Sequence, residues 1–541
     1  MSDEDTRAAA RGPQRERLET MRSDQTMMAP IRGLLLAAVF AAALLGPARV
    51  EAIPERYHTY DEVHSEILAL QASYPSIVRI DTLGVSMQDS MDIWGVKLSD
   101  NVGLDEDEPV VFYNGIHHAE EVMGLEVIMW MLDELTTNYG VDDTMTAWVD
   151  DFELYFIPIL NPEGHAVVTA GVDTTWRKNK FDNDGDGEFD LDYDGVDLNH
   201  NYDWNWEQGG SDNPPSDYYR GPAPFSESES QIVRDFCLQH KPLFALNYHS
   251  PRSSDGDLVY YPWYWTGYGF APDHYLIFDV ASELCNRTLD EADQPYEAVY
   301  GFATRGKARN WQYGHVGTLG YTMEILSYLC IPGGHRVDGI CERVSSGSYY
   351  LIERSYGPGI TGHVTEAGTR SPLVAEVEVL EFSSELLDPR TTDATYGRYW
   401  RLLQPGTYTV EFSAFGYETQ TFHDVVVDSS GYTTLDCELQ PWTDVPEAEA
   451  AARIERVSPN PFGTTTVLHF TAPAGETASV AIYSATGRLV REMSVAPSRA
   501  GVGEAVWDGL DSGGKPAASG VYFAELVVGG ERDRARVVLL R

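Results

Sequence analysis

Between residues 53 and 345 the apolar positions switch repeatedly between helical and strand spacing. Tyr60 to Tyr74 repeats them at intervals of three and four, which predicts a helix, while Ile77 to Val85 and Asp92 to Leu98 read as strands. Pro109 to Tyr113, Leu154 to Leu160 and Leu243 to Tyr248 are apolar runs of the kind that strands covered on both faces show. Val122 to Tyr139 is predicted as a long helix, and its stripe of Met, Leu, Ile and Trp is read as core. Ser226 to Cys237 opens with a Ser-x-x-Glu capping pattern and reads as another helix. Strands that alternate with helices imply an α/β class: a mixed, mostly parallel twisted sheet flanked by helices.

Beyond about Tyr356 the pattern becomes all-β, with short strands between Gly and Pro turns such as Gln404-Pro405-Gly406. Two small all-β sandwich domains are expected, at 356–440 and 453–541, joined by a Pro-, Glu- and Ala-containing linker at 441–452. At the other end, Gly33 to Gly46 is an unbroken run of 14 apolar or small residues, too short to span a bilayer. Arg32 precedes it, and Val50-Glu51-Ala52 offers a small-x-small cleavage site. Residues 1–52 are therefore read as a signal peptide with an N-terminal extension, an uncleaved signal anchor being the competing reading. A catalytic domain is expected over 53–355, and a secreted or cell-surface location follows.

Charge narrows the partners. With 84 acidic against 38 basic residues the formal net charge is −46, which argues against nucleic acid or an anionic membrane. Export permits disulfides. Of the five cysteines only Cys330 and Cys341 are close enough in sequence to suggest a pair.

The candidate chemistry lies where the Pro109 to Tyr113 strand runs into the next helix. His117 and Glu120 form a His-x-x-Glu that can seat two ligands on one metal ion. A hydrolytic zinc keeps three protein ligands and an open position for water, so a third donor is required. His249, at the end of a buried strand, is the best candidate. Separately, Asp182, Asp184, Asp186 and Asp190 place oxygen donors at alternate positions among glycines, which suits Ca²⁺ as a second ion. A merely solvated acidic turn is the alternative.

Six motifs then occur in an order that resembles the secreted bacterial zinc metallocarboxypeptidases: Gly115-Ile116-His117-x-x-Glu120, Asn161-Pro162-Glu163-Gly164, Trp176-Arg177-Lys178-Asn179, Asp197-Leu198-Asn199-His200-Asn201-Tyr202, Tyr248-His249-Ser250 and Thr322-Met323-Glu324. The resemblance implies that family's fold, with one Zn²⁺ at the carboxyl ends of central strands and His117, Glu120 and His249 as its ligands. It implies Glu324 as general base. It also implies an arginine beside the metal for the developing oxyanion, where this chain has Lys180, with Arg177 matching another family arginine.

Specificity departs from the family pattern. The Asn-Arg pair that clamps a substrate's terminal carboxylate is matched by Asn199 and His200, so the bidentate fork is missing from its usual place. Arg252 either restores that charge or is an ordinary exposed loop arginine. The mobile phenol of the family falls at Phe302, which leaves Tyr300 as a nearby candidate. Arg309 falls at the floor of the side-chain pocket, where it would favour a C-terminal Asp or Glu, hold the terminal carboxylate itself, or pair with an internal acid. The 359–439 segment resembles transthyretin-like regulatory domains of carboxypeptidases, and 453–541 resembles immunoglobulin-like C-terminal modules of secreted proteins, some of which contact the cell surface or the secretion machinery.

The expected activity is thus a secreted, monomeric zinc carboxypeptidase acting on peptide or protein substrates by metal-activated water. An amidase of unusual peptides, such as peptidoglycan stem peptides, is the alternative within enzymes. A non-catalytic cell-surface binding protein on the same scaffold is the alternative outside them.

Overall fold

The computed structural model describes residues 53–251, 256–302, 305–327, 330–441 and, apart from several short turns, 452–539. The expected signal peptide, Arg252 and most of the linker lie outside the described residues. No helix among the described residues is long and apolar enough to cross a membrane.

The α/β unit runs α1 (Tyr60–Ser73), β1 (Val78–Val85), β2 (Asp92–Leu98), β3 (Val110–Asn114), α2 (Met123–Asn138), α3 (Asp143–Asp151), β4 (Glu153–Ile157), α4 (Pro162–Thr169), α5 (Ser228–His240), β5 (Phe244–His249), β6 (Leu258–Trp265), β7 (Gly269–Phe270), α6 (His274–Arg287), β8 (Glu297–Phe302), α7 (Ala308–Trp311), β9 (Leu319–Glu324) and α8 (Val337–Arg354). Thr59 and Glu62 close a reciprocal capping box at the start of α1. At α5 the expected Ser226 cap does not form, because the N-cap is Glu227 and the Ser226 hydroxyl donates to the Glu227 carboxylate instead.

The sheet order is β1-β2-β4-β3-β5-β9-β6-β7, with β8 beside β6. The mixed sheet is parallel at its centre, where β4, β3, β5 and β9 run together, and antiparallel in the β1/β2, β2/β4, β6/β9 and β6/β7 pairs. Every residue of β3, β4 and β5 is buried, as their apolar runs require. Fully burying one such Val, Leu or Phe side chain contributes about 1.5–3 kcal/mol.

Two features of this core position the site. Parallel strands end together, and the register of β5 with β9 sets His249 directly opposite Glu324. Helix α2 lies close over β5 at Gly124, where a Cβ would stand 2.5 Å from the Cβ of Tyr248. Any larger residue would push the helix, and the loop that enters it, away from the strand end.

Residues 359–439 form two small sheets that close over Ile360, Val377, Val410 and Phe412. Their seam with the α/β unit is ionic. Asp107 accepts both Nε and Nη2 of Arg398 at 2.6 Å, and Asp273 binds Arg401 at 2.6 Å and Arg390 at 3.1 Å. A further pair of sheets over 453–539 encloses its own core around Leu468, Ile482, Trp507 and Leu526. The cysteine pairing is not formed. All five cysteines are free thiols; Cys341 is buried on α8, while the Cys330 Sγ approaches the Ser250 carbonyl at 3.5 Å.

Candidate metal centre

The loop between β3 and α2 carries His117-His118-Ala119-Glu120-Glu121, in which His-x-x-Glu can be read in two registers. The structure selects the second. His118, Glu121 and His249 bring ligand atoms within 4.8 Å of one another, all three buried. The His118 Nδ1 lies 2.9 Å from the Glu121 carboxylate and 3.0 Å from the His249 Nδ1, which lies 2.7 Å from the other Glu121 oxygen. The expected pair His117 and Glu120 is corrected on this point. Ile116 takes φ +52° and turns the chain sharply after β3, so His117 points elsewhere and its Nε2 meets the Tyr202 hydroxyl at 2.8 Å.

Buried polar groups hold these rings. Asp197 binds the His118 Nε2 at 3.1 Å, leaving Nδ1 to face the cluster, and the Asn199 amide meets the His249 Nε2 at 3.0 Å. Burial, and then the nearby Arg177, push His118 down to about 4, and burial with Lys307 and Arg177 holds His249 well below the usual imidazole range. Neutral imidazoles and one carboxylate are the donor types zinc accepts, and three from the protein is the number that leaves a position open. The donor set fits a zinc ion.

Around the cluster stand three cations and a carboxylate. Arg177 donates to Asp197 at 2.9 Å and to Glu121 at 3.2 Å. Burial opposes its charge, but Asp197, Glu121 and Glu120 outweigh burial and keep it protonated. Glu324, at the end of β9, is pushed up by burial and by Glu121, against the pull of Arg177, Lys307 and Arg309. A raised carboxyl of this kind suits proton transfer near neutral pH.

Lys180 does not join this group. It pairs with Asp89 at 2.5 Å and lies over the Phe189 ring, so the cation beside the ligands is Arg177. His200 is buried; its Nδ1 meets the Arg305 carbonyl at 2.7 Å and its Nε2 meets the Lys307 ammonium at 3.1 Å. Arg309 is 5% exposed, lies over the Tyr260 ring and donates weakly to Thr322 at 3.3 Å. Tyr300 stands on the exposed face of β8, its ring against Tyr264 and Phe270.

The acidic turn groups differently from the expectation. Asp182 and Asp184 converge with the buried Asp194, without Asp186 or Asp190. The Asp182 carboxylate already accepts the Gly185 and Gly187 amides, at 2.6 and 2.9 Å, and those bonds hold its pKa down. The turn satisfies itself, and a calcium ion finds no support in it.

Lys307, Asp197 and Glu121 carried no assigned role in the sequence reading. For Asp197 and Glu121 a signal existed, since both lie within motifs. For Lys307 none did: it follows a loop and caps a four-residue helix.

Residues 63–328 match the Peptidase_M14 zinc carboxypeptidase family, 359–440 the carboxypeptidase regulatory-like domain and 462–529 the FlgD Ig-like domain. The chain therefore carries a zinc carboxypeptidase domain of the M14 family, followed by a regulatory-like and an Ig-like domain. Among relatives, the Carboxypeptidase B of Astacus astacus is 29% identical over 50% of this chain and 86% of its own length. The Zinc carboxypeptidase of Saccharothrix mutabilis subsp. capreolus is 34% identical over 24% of this chain, which covers 29% of that protein. Carboxypeptidase D of Homo sapiens is 25% identical over 69% of this chain, which covers 26% of that protein. Among solved structures, thrombin activatable fibrinolysis inhibitor matches with a TM-score of 0.48 at 21% identity, over 55% of this chain and 75% of that one.

Proposed function

We propose that the protein is an exported zinc carboxypeptidase that removes C-terminal residues from peptides, with a preference for acidic ones. The observation that carries this reading is the convergence of His118, Glu121 and His249 beside Arg177 and Glu324. When bound, zinc would supply Lewis-acid polarisation and lower the pKa of water at the open position. The remaining work falls to the chain's own side chains.

Glu324 is the general base. Its raised carboxyl accepts a proton from the attacking water and returns it to the leaving amine, and one group can do both because its affinity for the proton lies near working pH. Arg177, fixed by Asp197 and Glu121, presents a permanent positive charge toward the oxygen that becomes anionic. Asn199 orients His249 and, through its carbonyl oxygen, accepts the Ala308 amide at 3.1 Å, which ties the ligand strand to α7. Arg309 supports the acidic preference, because a buried cation whose Nε has no partner favours a carboxylate by charge pairing. The apolar run and cleavage pattern of residues 33–52 support export.

A peptide library with free and amidated C-termini, digested with and without a chelator and read by mass spectrometry, tests the reading. Loss of single C-terminal residues from free-ended peptides, abolished by chelation, is expected. Cleavage that ignores the amide block would sink the exopeptidase assignment. Glu324→Gln is expected to lower kcat by about 10²–10⁴ while zinc stays bound.

A further inference from the structure

Lys307 is a half-buried amine with an incomplete set of partners. Among the described residues it has one hydrogen bond, to the His200 Nε2 at 3.1 Å, and joins no ion pair. An ammonium carries three donors, so two are left. The geometry that holds it is tight. The His200 Nδ1–H donates to the Arg305 carbonyl at 2.7 Å, which leaves Nε2 with the lone pair that accepts from Lys307. Gly306 takes φ +57°, and a Cβ there would stand 2.7 Å from the His200 carbonyl, so the turn before Lys307 lies flat against that residue.

Two residues on, Arg309 is buried with its Nε unpartnered, and Gly301 packs against its guanidinium. Asp197 and Glu324 attract Lys307 without closing an ion pair with it, while Arg177 and Arg309 repel it. A half-buried and a buried cation two residues apart, neither in an ion pair with a carboxylate among the described residues, leave a deficit that a ligand with two negative charges would fill. His200 cannot hold the anion itself, since burial and Lys307 keep it neutral.

Resting on the carboxypeptidase reading above, we propose that Lys307 anchors the terminal carboxylate of the substrate, with His200 as its positioning residue, and that Arg309 receives the side-chain carboxylate of a C-terminal Asp or Glu. The ammonium spends one donor on His200 and offers the other two to the ligand. The positive charge missing from position 200 is thereby supplied from a different loop.

The test uses zinc-loaded full-length protein and calorimetric binding of N-acetyl-glutamate, its α-amide and N-acetyl-glutamine. In the parent protein each amide is expected to bind about 10- to 100-fold more weakly than the diacid, the range for a hydrogen bond to a charged group. Lys307→Met should remove discrimination against the α-amide and keep that against N-acetyl-glutamine; Arg309→Gln should do the reverse. Lys307→Arg should restore the first discrimination, which a merely structural lesion would not permit. On peptides, Lys307→Met should raise KM more than it lowers kcat. Retained α-amide discrimination in Lys307→Met, or exchanged effects of the two variants, would overturn the assignment. A parent protein that binds and discriminates these ligands but releases no C-terminal residue would instead overturn the parent reading alone.

Discussion

Asp197 binds His118 and Arg177 with opposite oxygens, Oδ1 3.1 Å from the ring Nε2 and Oδ2 2.9 Å from the guanidinium Nε. Burial works against this carboxylate's charge, yet Arg177, His118 and His200 together hold its pKa well below the usual range. One anion thus orients a metal ligand and the cation beside it. Asp197→Asn keeps the shape and loses the charge, and is expected to weaken zinc binding about 10- to 100-fold, read by competition with a chromophoric chelator.

The two registers of His-x-x-Glu make opposite predictions for neighbouring residues. His118→Ala and Glu121→Ala should lose stoichiometric zinc, measured by elemental analysis of dialysed protein. His117→Ala should keep it, because His117 meets Tyr202 and not the cluster. Zinc loss in His117→Ala alone would reverse the assignment.

Arg177 and Lys180 separate in the same way. Arg177→Ala should lower kcat about 10²- to 10³-fold, the cost of removing one donor from an oxyanion site. Lys180→Ala should change kcat/KM by no more than about twofold, since its partner Asp89 is a surface acid and such pairs contribute about 0–1 kcal/mol.

Asp273 couples the α/β unit to the regulatory-like domain. It is buried, accepts the Tyr313 hydroxyl at 2.6 Å and faces Arg401 and Arg390, while burial and Arg401 hold Arg390 down to about 10. Burial raises the Asp273 pKa, but the two guanidiniums more than reverse this and lower it in the folded state. Its stabilisation is therefore full above the unfolded value near 3.8 and is lost as pH falls through the folded value. Asp273→Ala strands the buried Arg401 and the half-buried Arg390 and should cost about 3–5 kcal/mol, seen as a lower thermal midpoint at pH 7. The difference between variant and parent should shrink in acid.

Much of the fold was legible along the chain. The mostly apolar runs at β3, β4 and β5 read as strands buried on both faces, which they are, and the helical spacing of α2 matches its buried stripe. His249 was found because it ends such a strand and Glu324 through the family motif it closes, and the parallel register of β5 and β9 sets the two at one edge. The antiparallel margins were less visible, since a short apolar run does not record the direction of its neighbour.

Local chemistry written in sequence order was therefore settled by the sequence alone: the strand and helix pattern, the acidic balance, and the presence of His, Glu and Arg in ordered motifs. Tertiary structure decided what depends on rotation and on distant encounters. Adjacent residues in a turn point in different directions, so one left-handed residue, Ile116, determines that His118 and Glu121 rather than His117 and Glu120 face His249. Lys307 meets His200 across 107 positions of chain, a contact that closes only when the sheet brings their loops together.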